Sequence, residues 1–160
     1  NGIHAGEPCG IDASLEFAEK LLSHPDELND SIVVAIKPVY SVGGYLNRGC
    51  CSRANQNGPL QYGFRGNSKN LDLNRDFIKA DSKNVRAFYD IFHLLSPAVF
   101  VDTHTSNGAD YQHTMTLITS QLDKMNPLLA KYTREKLNPY LFSQMEKDNY
   151  RVFEKRYRLS

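Results

Sequence analysis

The sequence predicts an α/β layered fold from three observations. Two apolar, β-branched runs, residues 31–40 (SIVVAIKPVY) and 98–103 (AVFVDT), suit strands buried on both faces of a sheet. Segments of helical periodicity alternate with them, and such alternation argues for helices packed on a sheet. The 160 residues, 41% hydrophobic and 23% charged, have the composition of one globular domain with a real core.

The elements follow in order. Residues 12–23 read as a helix, with Leu15, Ala18 and Leu22 on one apolar stripe, Phe17 and Leu21 beside it, and Pro25 closing it. The first strand spans 31–40. Residues 43–70 hold six of the ten glycines and few aliphatic side chains, so a long loop is expected, and loops of this length commonly carry function. A second helix spans 81–95, capped by Asp81 or Ser82, with Val85, Phe88, Tyr89 and Phe92 on one side and Pro97 beyond its end. The second strand is 98–103, and 114–119 (TMTLIT) alternates as a third. Residues 127–148 read as a long helix, bent at Pro139.

Composition excludes several classes. Nineteen basic against 18 acidic residues leave a net charge of +1, without the basic excess of a nucleic-acid binder. No apolar run is long enough for a membrane-spanning helix. Of the three cysteines, Cys50 and Cys51 are neighbours and Cys9 stands apart. Three free thiols are the favoured expectation, with Cys9 pairing to one of the others as the alternative. No Cys-x-x-Cys is present, which argues against a thiolate zinc site.

Three short stretches carry chemistry. In His4-Ala5-Gly6-Glu7, an imidazole and a carboxylate three positions apart converge if the chain turns between them, and Gly6 makes a turn easy. In Asp102-Thr103-His104, alternation puts Asp102 and His104 on one face at the carboxyl end of a strand, where sites form in α/β sheets. Two imidazoles and a carboxylate make a three-ligand zinc site with an open fourth position, the arrangement of a hydrolytic zinc. Between them stands Asp72-Leu73-Asn74-Arg75. Arg75 offers a planar fork for a carboxylate, Asn74 adds amide donors, and Asp72 suits the far side of a zinc-bound imidazole. His24, His93 and His113 read as structural or surface residues.

In that order, His4-x-x-Glu7, Asp72-x-Asn74-Arg75 and Asp102-x-His104 resemble the zinc carboxypeptidase A-type (M14) metallopeptidases, over residues 3–105. The resemblance implies a three-layer α/β/α fold with a mostly parallel or mixed sheet, phosphorylase/hydrolase-like and cut at both ends. It implies one Zn2+ on His4, Glu7 and His104, and Asp72 holding a ligating histidine. It also implies that Asn74 and Arg75 clamp the free C-terminal carboxylate of a peptide substrate. An upstream arginine would hold the oxyanion, with Arg53 the first candidate and Arg65 the second. Family members often carry Arg where this chain has Gly6, so one extended-substrate contact is expected to be missing. The family's catalytic Glu lies in a late strand. Glu154 is the one strand-like candidate, and the base is expected outside this chain. Export to the periplasm or beyond is favoured by the resemblance alone. Two other functions are open: an aspartoacylase/desuccinylase-like amidohydrolase of N-acyl amino acids, which resembles the same motifs, and a module that binds zinc and a carboxylate without turnover.

Overall fold

The computed structural model describes residues 1–53, 59–106 and 111–154, with only the backbone of Phe153 and Glu154. The chain divides into two compact units, Asn1–Gly108 and Ala109–Ser160.

In the first unit, helix α1 spans Cys9–Ser23, starting three residues earlier than the periodicity indicates because Pro8 serves as its N-cap. It meets the rest of the unit through its first turn. Ile11 is buried against Gly2, and Gly10 lies so close to Thr103 that any side chain would collide with the threonine hydroxyl. The expected apolar stripe is not buried: Leu15, Phe17 and Leu22 are exposed.

Residues 43–70 are not wholly irregular. They contribute to a short helix, α2 (Val42–Leu46), and to an antiparallel pair, β1 (Arg48–Gly49) with β2 (Tyr62–Gly63). Cys50 and Cys51 are joined to each other as a disulfide, contrary to the expectation of three free thiols. The left-handed backbone at Cys51 (φ 70°) turns to one side two side chains that an extended chain would point apart. Cys9 is free and exposed.

A 3-10 turn at Leu73–Arg75 precedes helix α3 (Lys83–Leu95). Of the two candidate caps, Ser82 does the capping: its hydroxyl accepts from the Val85 N–H at 3.1 Å. The buried Asp76 carboxylate accepts from the backbone N–H groups of Asp81 and Ser82, both at 2.9 Å, and so sets the angle at which the helix begins. The small core joins Ile3, Tyr40 and Leu73, with Phe77 and Phe88 packed against it. Phe88 stands edge-on to Tyr40, Phe77 and Phe100 with ring centroids 5.5–5.7 Å apart.

Residues 31–40 and 98–103 form no strand. Most of their apolar side chains are exposed or half-buried rather than doubly buried, with Val33 at 86% and Val99 at 68%; Tyr40, at the end of the first run, is buried. A buried strand needs a hydrogen-bonding neighbour on each edge and cover on both faces. Here Tyr40 and Ser41 donate to the carbonyls of Asn1 and Gly2 at 2.9 and 3.1 Å. Thr103 reaches the Asn1 side chain at 2.6 Å. These contacts bring both runs to the segment leading into His4.

In the second unit, β3 (Met115–Leu117) pairs in parallel with β4 (Val152–Glu154), Met115 opposite Val152. The expected third strand is thus present in shortened form. A parallel pair requires a long crossover, and a helical run supplies it: α4 (Pro127–Tyr132), a π-helical turn (Thr133–Leu137) and α5 (Asn138–Lys147). The irregularity expected at Pro139 appears one turn earlier. Asn138 N–H reaches back five residues to the Thr133 carbonyl, and Pro139, which has no N–H to give, falls in the first turn of α5.

Candidate metal centre

The site lies in Asn1–Gly108. Ile3 anchors the N-terminal segment in the core, and His4 follows at its exit. A tight turn closes with the Glu7 N–H on the His4 carbonyl at 3.0 Å, which places both buried side chains together. Gly6 does not take positive φ. Its role differs from the expected easy turn. A Cβ there would lie 2.7 Å from the Gly63 carbonyl oxygen and 3.3 Å from Arg53 Cδ. Gly63 in turn leaves no room for a side chain against Ala5, with a Cβ 2.6 Å from the Ala5 oxygen. Paired glycines therefore let β2 lie directly on the His4–Glu7 turn.

His4, Glu7 and His104 offer three ligand atoms, all within 4.8 Å of one another. The two imidazoles approach the two oxygens of one carboxylate: His4 Nδ1 is 2.9 Å from Glu7 Oε1, and His104 Nδ1 is 3.0 Å from Glu7 Oε2. Each ring also has a carboxylate at its other nitrogen. His4 Nε2 is 3.2 Å from Asp72 Oδ1, and His104 Nε2 is 3.0 Å from Asp102 Oδ2. An imidazole between two carboxylates is satisfied in two ways: by protons on both nitrogens, or by one N–H and a cation at the other nitrogen. The Nδ1 atoms face each other across Glu7, and the Nε2 atoms face outward to Asp72 and Asp102. Ligands about 2.0–2.2 Å from a tetrahedral zinc stand roughly 3.3 Å apart; the two imidazole–carboxylate separations here, 2.9 and 3.0 Å, are close to that, and the donor types are those zinc takes.

Other groups complete the surroundings. Buried Arg53 donates from Nη1 to Glu7 Oε1 at 2.6 Å, and the Thr105 N–H donates to Oε2 at 3.0 Å. Burial alone pushes the Glu7 carboxyl up. The hydrogen bonds from His104, His4, Arg53 and Thr105 outweigh it and hold the group ionised, well below the usual carboxylate range. His104 is pushed up to about 9, first by Asp102 and then by Glu7, against the opposing effect of burial.

Arg65 is engaged with a carboxylate, as Arg53 is. Its Nε and Nη2 grip Asp72 Oδ2 at 3.0 and 2.9 Å, so its contact is with the carboxylate behind His4. Burial raises the Asp72 carboxyl, and Arg65, the Asn74 N–H and His4 together more than offset it, leaving the group lowered. The Asn74 N–H donates to Asp72 Oδ1 at 3.0 Å, which starts the 3-10 turn that carries Asn74 and Arg75. Arg75 is exposed and donates to the Asn74 carbonyl at 2.9 Å. It lines a shallow cleft with Leu71, Asp72, Asp76 and Lys79. Glu154 occupies the end of β4, in the other unit, and its side chain lies outside the described residues. His24 and His93 sit near the ends of α1 and α3, away from any such cluster among the described residues.

Spacing alone missed the Thr105 N–H, since a backbone donor leaves no mark in a sequence. It also missed the contact between Asp102 and His104, although the shared face of the two residues was its signal. No helix among the described residues is long and apolar enough to cross a membrane. Searches against protein-family models, curated proteins and solved structures return no match to this chain.

Proposed function

We propose that the chain is the metal-binding part of a zinc hydrolase of the carboxypeptidase type, with the three-layer α/β/α fold that such enzymes share, cleaving the C-terminal peptide bond of peptides. One observation carries it: two imidazoles present the same nitrogen to one carboxylate while a second and a third carboxylate hold their far nitrogens. That arrangement fixes ring orientation and tautomer for a metal.

His4, Glu7 and His104 would hold the ion. When bound, zinc supplies a Lewis acid and acidifies its water toward neutral pKa. The chain's own residues do the rest. Arg53 is a cation fixed beside the ligand cluster, placed to balance negative charge that develops on a substrate carbonyl. Arg75, exposed on the turn that begins at Asp72, meets the free carboxylate of the substrate with its planar fork, and Asn74 adds amide donors. Asp72, gripped by Arg65, keeps the His4 ring from turning.

Metal analysis and peptide assays test this. One zinc per chain is expected, lost in His104→Ala. Arg75→Ala should retain zinc and lose binding of peptides with a free C-terminus. Absence of zinc from the wild-type protein, or equal binding of C-terminally amidated peptides, overturns the proposal. Tighter binding of N-acyl amino acids than of peptides would instead mark the amidohydrolase alternative.

Zinc uptake should also depend on pH in a set direction. In the metal-free protein, His104 holds its proton up to about 9, above its ordinary 6.5. The ion must displace that proton, so affinity should rise about tenfold per pH unit below that point and level off above it. Chelator competition from pH 6 to 10, with proton release measured in weak buffer, gives the slope, and a flat profile refutes the expectation. The linked stability term has the opposite sign. A raised histidine pKa stabilises the metal-free fold fully below 6.5 and ceases to do so as pH passes about 9.

A further inference from the structure

We propose, resting on the zinc reading above, that Asp102 is a positioning residue for His104, the counterpart of Asp72 behind His4. Asp102 Oδ2 lies 3.0 Å from His104 Nε2, on the side of the ring opposite Glu7. The two residues are separated by one position, and the contact between their side chains is local. With its Nε2–H given to Asp102, the neutral ring leaves the Nδ1 lone pair aimed at Glu7 and the metal position. Without that acceptor, the other tautomer and the flipped ring become accessible, and each removes a ligand from the site.

The two histidine–carboxylate pairs are built differently. Asp72 is fixed by Arg65 and by the Asn74 N–H. The Asp102 side chain is 30% exposed, and that of His104 33%. His4 is buried at 5%. His4 therefore belongs to a rigid arm of the site, and His104 to an open arm whose orientation depends on Asp102. Its exposed position keeps Asp102 out of the apolar core.

Asp102→Asn and Asp102→Ala in the full chain test this, with zinc and cobalt as the probes. Loss of such a partner typically lowers metal affinity about 10–100-fold. The full loss is expected for Asp102→Ala. A smaller one is expected for Asp102→Asn, whose amide oxygen still accepts the Nε2–H without its charge. The visible bands of the cobalt protein should shift in both variants while circular dichroism stays that of the wild type. Zinc affinity within about threefold of wild type in Asp102→Ala, with unchanged cobalt bands, overturns the role of Asp102 and leaves the zinc site standing. A wild-type chain that takes up neither metal overturns the zinc reading itself.

Discussion

Glu7→Ala is expected to destabilise the metal-free fold by about 3–5 kcal/mol, the cost of removing one partner from a buried ion pair. Glu7 and Arg53 are almost fully shielded, with side-chain exposures of 3% and 6%, so solvent does little to soften the loss. The same carboxylate faces both imidazoles and accepts the Thr105 N–H, so four groups lose it together. Urea denaturation of the metal-free protein measures the effect, and a loss below about 1 kcal/mol contradicts it. Glu7→Gln keeps the shape and some hydrogen bonds, so it should unfold at higher urea than Glu7→Ala while still losing stoichiometric zinc. The carboxylate also sets an acid limit. Because its pKa is lowered in the folded state from an ordinary 4.5, its stabilising contribution is present above that value and is lost as pH falls through the folded value.

The second large effect lies in the core. Leu73 is 0% exposed and sits between Asp72 and Asn74, packed with Ile3 and Tyr40. Leu73→Ala should cost about 2–5 kcal/mol through lost burial and the cavity left behind. Ile78, five residues on, is 98% exposed, and Ile78→Ala should stay within about 0.5 kcal/mol of wild type. Because Leu73 holds the turn that presents Asp72 to His4, Leu73→Ala should also weaken zinc binding, and Ile78→Ala should not. Equal midpoints for the two variants would show that the core has been misidentified.

The grouping of His4, Glu7, His104 and Asp72 was legible in the sequence because each residue is tied to a local rule. A three-residue offset closes by a single turn, and a polar residue at the end of an apolar run is delivered to the run's exit. Arg53 and Arg65 were legible as a pair of candidates but not as a choice, since both lie in an irregular stretch. Their contacts differ: Arg53 stands on Glu7 and Arg65 on Asp72. The glycines were misread in kind. Gly6 suggested backbone freedom, whereas the structure needs it, with Gly63, for close approach.

The helices were legible to within a few residues, because periodicity and caps act locally. Residues 31–40 and 98–103 were not, because an apolar run becomes a strand only when a neighbour accepts its hydrogen bonds and a layer covers its faces. Their exposed valines show chains with strand composition but without that partner.

By itself, the sequence determined which residue types could hold a metal, the local turns and caps that present them, and a charge balance without a basic excess for nucleic acid. Tertiary structure alone decided which nitrogen of each histidine faces Glu7 and which arginine neutralises which carboxylate. Those outcomes depend on distances of about 3 Å between residues as many as 97 positions apart. Such distances are set by the packing of Gly10 on Thr103 and of Gly63 on Ala5, which no local pattern encodes.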